Sequence, residues 1–199
     1  RELRRIVGTL REPQSVASHA DALGENASTS RLPPLLSFGD DQPPKDQRLV
    51  RLPLVQCREC HGTAWLTRME MSHPTDQQVE TELQSIYSAF FGNQPETALL
   101  LPWQRGEKLS PAGTALEHFK VCRECGTTAT VDSNAECKGC QADNEALVRV
   151  SKPHQLKEVR RGNVNKVIHE HDCPWCSARS ALVVFGARAA SLSAVAIHQ

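Results

Sequence analysis

Residues 122–140 read CRECGTTATVDSNAECKGC, two C-x-x-C pairs with residues 126–136, eleven in all, between them. The two sulfurs of such a pair lie on one tight turn and point at a common centre, and two pairs complete a tetrahedron around a soft cation. Cys122, Cys125, Cys137 and Cys140 are therefore read as a zinc site. Gly126 and Gly139 let the backbone turn closely enough for its amides to donate to the thiolates, which orients and tunes them. Four protein ligands leave no open coordination position, so this zinc is expected to be structural and not a water activator.

The remaining cysteines form two more C-x-x-C pairs, Cys57/Cys60 and Cys173/Cys176, so all eight are paired and none is left over. Half-cystines of a secreted scaffold usually bridge distant segments, whereas clustering into adjacent pairs is the habit of metal sites. Residues 61–172, 112 in all, separate the outer pairs. The simplest assignment is nested: an inner zinc on the middle pairs and an outer zinc that clasps the ends of the module. Sequence does not fix connectivity, and crossed pairings stay open. His61, His169 and His171 flank the outer pairs. Four cysteines already complete a site, so these are read as ordinary histidines instead of ligands. The CPWC of residues 173–176 also matches a reactive dithiol, but a redox reading would leave Cys57 and Cys60 without partners.

The chain has 199 residues, 39% of them hydrophobic and 5% aromatic, a composition that builds a modest core and gains from metal binding as folding energy. Its 23 basic and 23 acidic residues cancel, so any nucleic-acid surface must be local. There is no secretory leader pattern and no apolar run near the roughly 20 residues that span a bilayer. A soluble, cytoplasmic chain is expected, with both ends cut from a longer protein.

Along the chain, Leu3, Ile6, Val7 and Leu10 predict an amphipathic helix within residues 1–23, and residues 24–47 read as a Pro- and Ser-rich linker. Residues 48–180 form the zinc-binding module. It opens with strand, knuckle and strand around Cys57, and repeats the device from Leu116 to Val131. The two segments share the word CREC, which reads as convergent use of the knuckle, since nothing else aligns. Thr75 to Gln78 reads as a capping box for a helix with Val79, Leu83, Ile86, Tyr87 and Phe90 on one stripe and Gly92 as its stop. Residues 93–114, with three prolines, read as a loop, and residues 146–151 as a short strand. Residues 181–199 are expected to give a strand and an Ala-rich helix that return to a host domain. The expected fold class is α+β: a small zinc-stabilised module of short antiparallel zinc-ribbon hairpins with a few helices.

Lys152, Lys157, Arg160, Arg161 and Lys166 make residues 152–171 the most basic stretch, a candidate contact for a phosphate backbone. A loop of solvated charges is the other reading. Phosphate-loop, dinucleotide, nucleophile-elbow and H-E-x-x-H motifs are all absent, so an independent enzyme is not expected.

Cys173-Pro174-Trp175-Cys176 followed by FGARAASL at residues 185–192, together with CREC, resembles the cysteine-rich insert of large bacterial superfamily 2 DEAD/DEAH-box helicases. Among these are MrfA-like helicases and the large helicase of Druantia-type antiphage defence. The resemblance covers residues 48–199 and implies a zinc-bound accessory region of an ATP-dependent DNA translocase whose motor motifs lie outside this chain. It implies DNA, the rest of a helicase chain and other proteins as partners, and a role in antiviral defence. The alternative is a zinc-knuckle protein-interaction module without nucleic-acid binding.

Overall fold

A computed structural model describes residues 6–9, 36–38, 49–71, 75–102, 115–161 and 164–184. The first strands are β1 (Ile6–Thr9), β2 (Leu36–Phe38), β3 (Arg51–Cys57) and β4 (Thr63–Arg68). A single helix, α1 (Leu83–Phe91), precedes β5 (Thr97–Pro102), β6 (Leu116–Cys122) and β7 (Thr128–Thr130). A 3₁₀ turn at Asn144–Ala146 leads into β8 (Leu147–Pro153), followed by β9 (Leu156–Arg161), β10 (Val164–His169) and β11 (Leu182–Val184). Nine strands form one antiparallel sheet in the order β2-β1-β3-β4-β5-β8-β6-β7, with β11 also on β3, while β9 and β10 pair only with each other. The architecture is thus mostly antiparallel sheet, and among the described residues there is one α-helix where several were expected.

Leu52, Leu54, Leu66, Leu100, Phe119 and Val121 are fully buried on the central strands. Burying side chains of this size contributes about 1.5–3 kcal/mol each. The helix adds Ile86, Ala89 and Phe90 to the core from one face. At its C-terminal end Gly92 packs closely, since a Cβ there would stand 2.8 Å from the Ser88 carbonyl oxygen.

Several expectations change. Ile6–Thr9 is a strand, not part of a helix, which its β-branched Ile-Val pair and antiparallel pairing with β2 and β3 explain. The rest of residues 1–23, and the expected terminal helix after residue 184, lie outside the described residues. The helix begins at Leu83, eight residues after Thr75, the first residue of the supposed capping box. Asp76 sits at φ 61°, in the left-handed region, and residues 76–80 are hydrogen-bonded to a neighbour on each side. On one side Thr128 donates to the Gln77 carbonyl at 2.8 Å and Val79 to the Gly126 carbonyl at 3.0 Å; on the other, Glu80 donates to the Arg68 carbonyl at 3.1 Å. No side chain caps the helix at its N-cap, Glu82; just ahead of it the Glu80 carboxylate accepts the Thr81 and Glu82 amides at 2.8 and 2.9 Å. Those amide hydrogen bonds, the Glu82 one foremost, hold the Glu80 carboxyl below its ordinary range. The supposed loop after residue 93 contains β5, whose Thr97–Leu101 run is buried throughout. A continuous apolar run marks a strand covered on both faces, and prolines at its ends do not interrupt the ladder.

Candidate metal centres

Each cysteine pair occupies the same backbone turn. The fifth residue of the turn donates its amide to the carbonyl of the first cysteine: His61 to Cys57, Gly126 to Cys122, Gln141 to Cys137 and Ser177 to Cys173, at 2.8–3.1 Å. The first cysteine in turn donates to the residue five further on: Gly62, Thr127, Ala142 and Ala178, at 2.8–2.9 Å. Closing the turn this way puts its fifth residue in the left-handed region, with φ of 59°, 80°, 61° and 59° in chain order. Glycine fills that position once, at Gly126.

The turns bring all eight cysteines into two groups, Cys57/Cys60/Cys173/Cys176 and Cys122/Cys125/Cys137/Cys140, whose sulfurs all lie within 4.8 Å of one another in each group. Cross-pair Sγ···Sγ distances are 3.7 Å for Cys57–Cys176, 3.5 Å for Cys60–Cys173, 3.6 Å for Cys122–Cys140 and 3.5 Å for Cys125–Cys137. A tetrahedral ion with metal–sulfur bonds of about 2.3 Å separates its sulfurs by about 3.8 Å, so both groups fit. None of the eight is joined in a disulfide. The nested pairing anticipated from the order of the cysteines is the one this geometry displays.

The electrostatics favour a cation. Burial pushes the Cys122 and Cys173 thiols well up. At Cys125 burial acts in the same sense, but hydrogen bonding to Thr127 and the neighbouring thiols outweighs it and brings the group down to about 7. Four adjacent thiols cannot all ionise unaided, and a divalent ion removes that obstacle. Amides already aim at the sulfurs: Glu59 at Cys57, and Trp175 and Cys176 at Cys173, each at 3.4 Å.

The two centres sit in units of one design. In the outer unit β3 pairs β4 through Leu54↔Trp65, Val55↔Ala64 and Gln56↔Thr63, and pairs β11 through Cys57↔Leu182. In the inner unit β6 pairs β7 through Phe119↔Thr130, Lys120↔Ala129 and Val121↔Thr128, and pairs β8 through Cys122↔Leu147. Arg58 donates to Ala181 and Arg123 to Ala146 at the corresponding place, at 2.9 and 2.8 Å. With this register as guide, the sequence aligns beyond CREC: C-R-E-C-x-x-T-A starts at Cys57 and at Cys122, and C-x-x-C-x-A, then A-L-V, follows from Cys137 and from Cys173. The shared word therefore belongs to an internal repeat, and the reading that nothing else aligns is corrected. One copy is inserted inside the other, and so the signal is split across the chain. The strap of residues 76–80 hydrogen-bonds to both units, and Lys138 pairs with Asp76 at 2.7 Å.

The basic residues fall on β8 and on the β9–β10 hairpin. Lys152 lies on β8 and pairs with Glu117 at 3.0 Å; Lys157 pairs with Glu170 at 2.7 Å. Register puts Lys166 opposite Val159 and Arg160 opposite Asn165, so Lys157, Arg161 and Lys166 take positions on one face of the β9–β10 hairpin and Arg160 on the other. Arg161 closes β9 opposite Val164.

His169 and His171 are not part of either sulfur group. His169 is buried at 2% exposure, and the His171 ring stacks on Phe90 with centroids 4.0 Å apart. His61 is exposed. Comparison with protein-family models, curated proteins and solved structures finds no match to this chain. Among the described residues, no helix is long and apolar enough to cross a membrane.

Proposed function

We propose that this chain is a structural zinc-binding module in which each four-cysteine group holds one zinc ion and each three-stranded unit is a zinc ribbon, the inner ribbon nested within the outer. One observation carries the reading: eight cysteines, spread from residue 57 to residue 176, converge as two groups of four whose sulfurs lie within 4.8 Å of one another. A closed site supplies folding energy and not catalysis. Replacing zinc by cobalt(II) tests it directly, since two equivalents should give intense tetrahedral thiolate spectra, and chelation should unfold the sheet. Weak octahedral spectra would rule out the sites.

As its setting we propose an accessory region of a larger DNA helicase, on the strength of the resemblance in CREC, CPWC and FGARAASL. The DNA contact would fall on the β9–β10 hairpin. Phosphate contact releases counterions, so DNA binding by the zinc-loaded chain should weaken steeply with salt. The second reading, a protein-interaction module, is favoured by the ion pairs that hold Lys152 and Lys157. Salt-independent behaviour with no DNA retention would select it.

A further inference from the structure

The two centres share one design but not one closure problem. The inner centre is assembled from a contiguous segment: β6, β7 and β8 together with both of its knuckles lie between Leu116 and Pro153. The outer centre receives its second knuckle only after the chain has traversed the helix, β5, the whole inner unit and the β9–β10 hairpin. Residues 126–136 separate the pairs of the inner centre and residues 61–172 those of the outer, a tenfold difference in loop length. Loop-closure entropy rises with the length of chain to be closed, which makes the outer centre the weaker one when the ligand sets are otherwise alike.

The ligand sets are alike in chemistry and turn geometry, as the matched turns show. They differ in access: Cys60 and Cys176 are both exposed in the outer group, whereas Cys140 is the one fully exposed cysteine of the inner group. Between the units, the sheet is joined through β5 and β8 at Leu101↔Ser151 and Pro102↔Val150. The inner unit therefore keeps its own ladder, β7-β6-β8, when the outer one opens.

Resting on the zinc reading above, we infer that the centres fill and empty in a fixed order, inner first on and outer first off, which makes the outer clasp the point where falling zinc supply opens the module. Emptying it frees the knuckle at Cys173 and, with it, β11 from its place against β3.

The test uses the full chain loaded with two equivalents of zinc and titrated with a chromogenic chelator. Aliquots are pulse-labelled with N-ethylmaleimide and the modified cysteines mapped by mass spectrometry. Two release phases are expected, the first at the higher free zinc. The first should expose Cys57, Cys60, Cys173 and Cys176 while the inner four stay protected. Labelling of the inner four first, or of all eight together, overturns the order. A chain that takes up no zinc at the outset overturns both the order and the zinc reading beneath it. Cys173→Ser provides an independent check: it should keep one zinc with the inner four cysteines protected, and loss of both zincs from this variant also overturns the order.

Discussion

The indole of Trp175 lies against the backbone of Gly62, so closely that a Cβ on Gly62 would stand 2.5 Å from Cε3 of the ring. The inner unit inverts this pairing. Its counterpart of Gly62 is Thr127 and its counterpart of Trp175 is Gly139, where an added Cβ would stand 2.2 Å from the Thr127 hydroxyl. Each pair of facing knuckles thus combines one large and one small residue, with the sizes exchanged between units.

Gly62→Thr alone should clash with the indole and destabilise by about 1–3 kcal/mol, while Trp175→Gly alone removes a half-buried aromatic and should cost about 3 kcal/mol. The double variant reproduces the inner arrangement, and a denaturant double-mutant cycle should show the pair costing at least about 1 kcal/mol less than the sum. Additive effects would mean that the two residues do not share space.

The fifth position of every turn is left-handed, yet His61, Gln141 and Ser177 occupy three of the four. A left-handed non-glycine residue carries about 1–2 kcal/mol of strain, partly offset by the greater freedom glycine brings to the unfolded chain. Glycine at any of the three should therefore raise stability by a few tenths to about 1 kcal/mol, read as a shift in unfolding midpoint. Gly126→Ala should do the opposite, since it combines φ 80° with a Cβ 2.9 Å from Val79 Cγ2.

His169 ends β10 buried, and its Nδ1 has no hydrogen-bond partner among the described residues. Burial, with His171 nearby, brings its pKa down to about 3. In the unfolded chain a histidine titrates near about 6.5, so between these values the unfolded state binds a proton that the folded state refuses. Stability is fully present above about pH 6.5 and is lost at about 1.4 kcal/mol per pH unit as the solution is acidified below it. His169→Leu should remove this slope. Comparing both proteins zinc-loaded at pH 7.5 and 5.5 cancels the contribution of the thiolates, and identical pH dependence would show that His169 is not held neutral.

Legibility in the sequence followed the range of the interaction concerned. Cysteine spacing reveals the knuckles because a C-x-x-C turn is local, whereas their order makes nesting only the simplest assignment and leaves crossed pairings open. The repeat stayed hidden because its halves are cut at different points: residues 126–136 separate the inner pairs and residues 61–172 the outer ones. The capping box at Thr75 failed because Gln77 and Val79 bond to Thr128 and Gly126, partners some fifty residues away that no local pattern names. The β9–β10 hairpin escaped because Lys157, Glu158 and Arg160 are exposed, with the first two on opposite faces, which erases the alternation that marks a half-buried strand.

Elemental analysis of the purified chain, paired with a count of reactive thiols under native conditions, tests the central claim most directly. Two closed tetrathiolate centres predict two zinc ions per chain and no thiol that reacts before the metal is removed. One zinc with two or more reactive thiols, or none with eight, would contradict them and return the CPWC of residues 173–176 to consideration as a reactive dithiol.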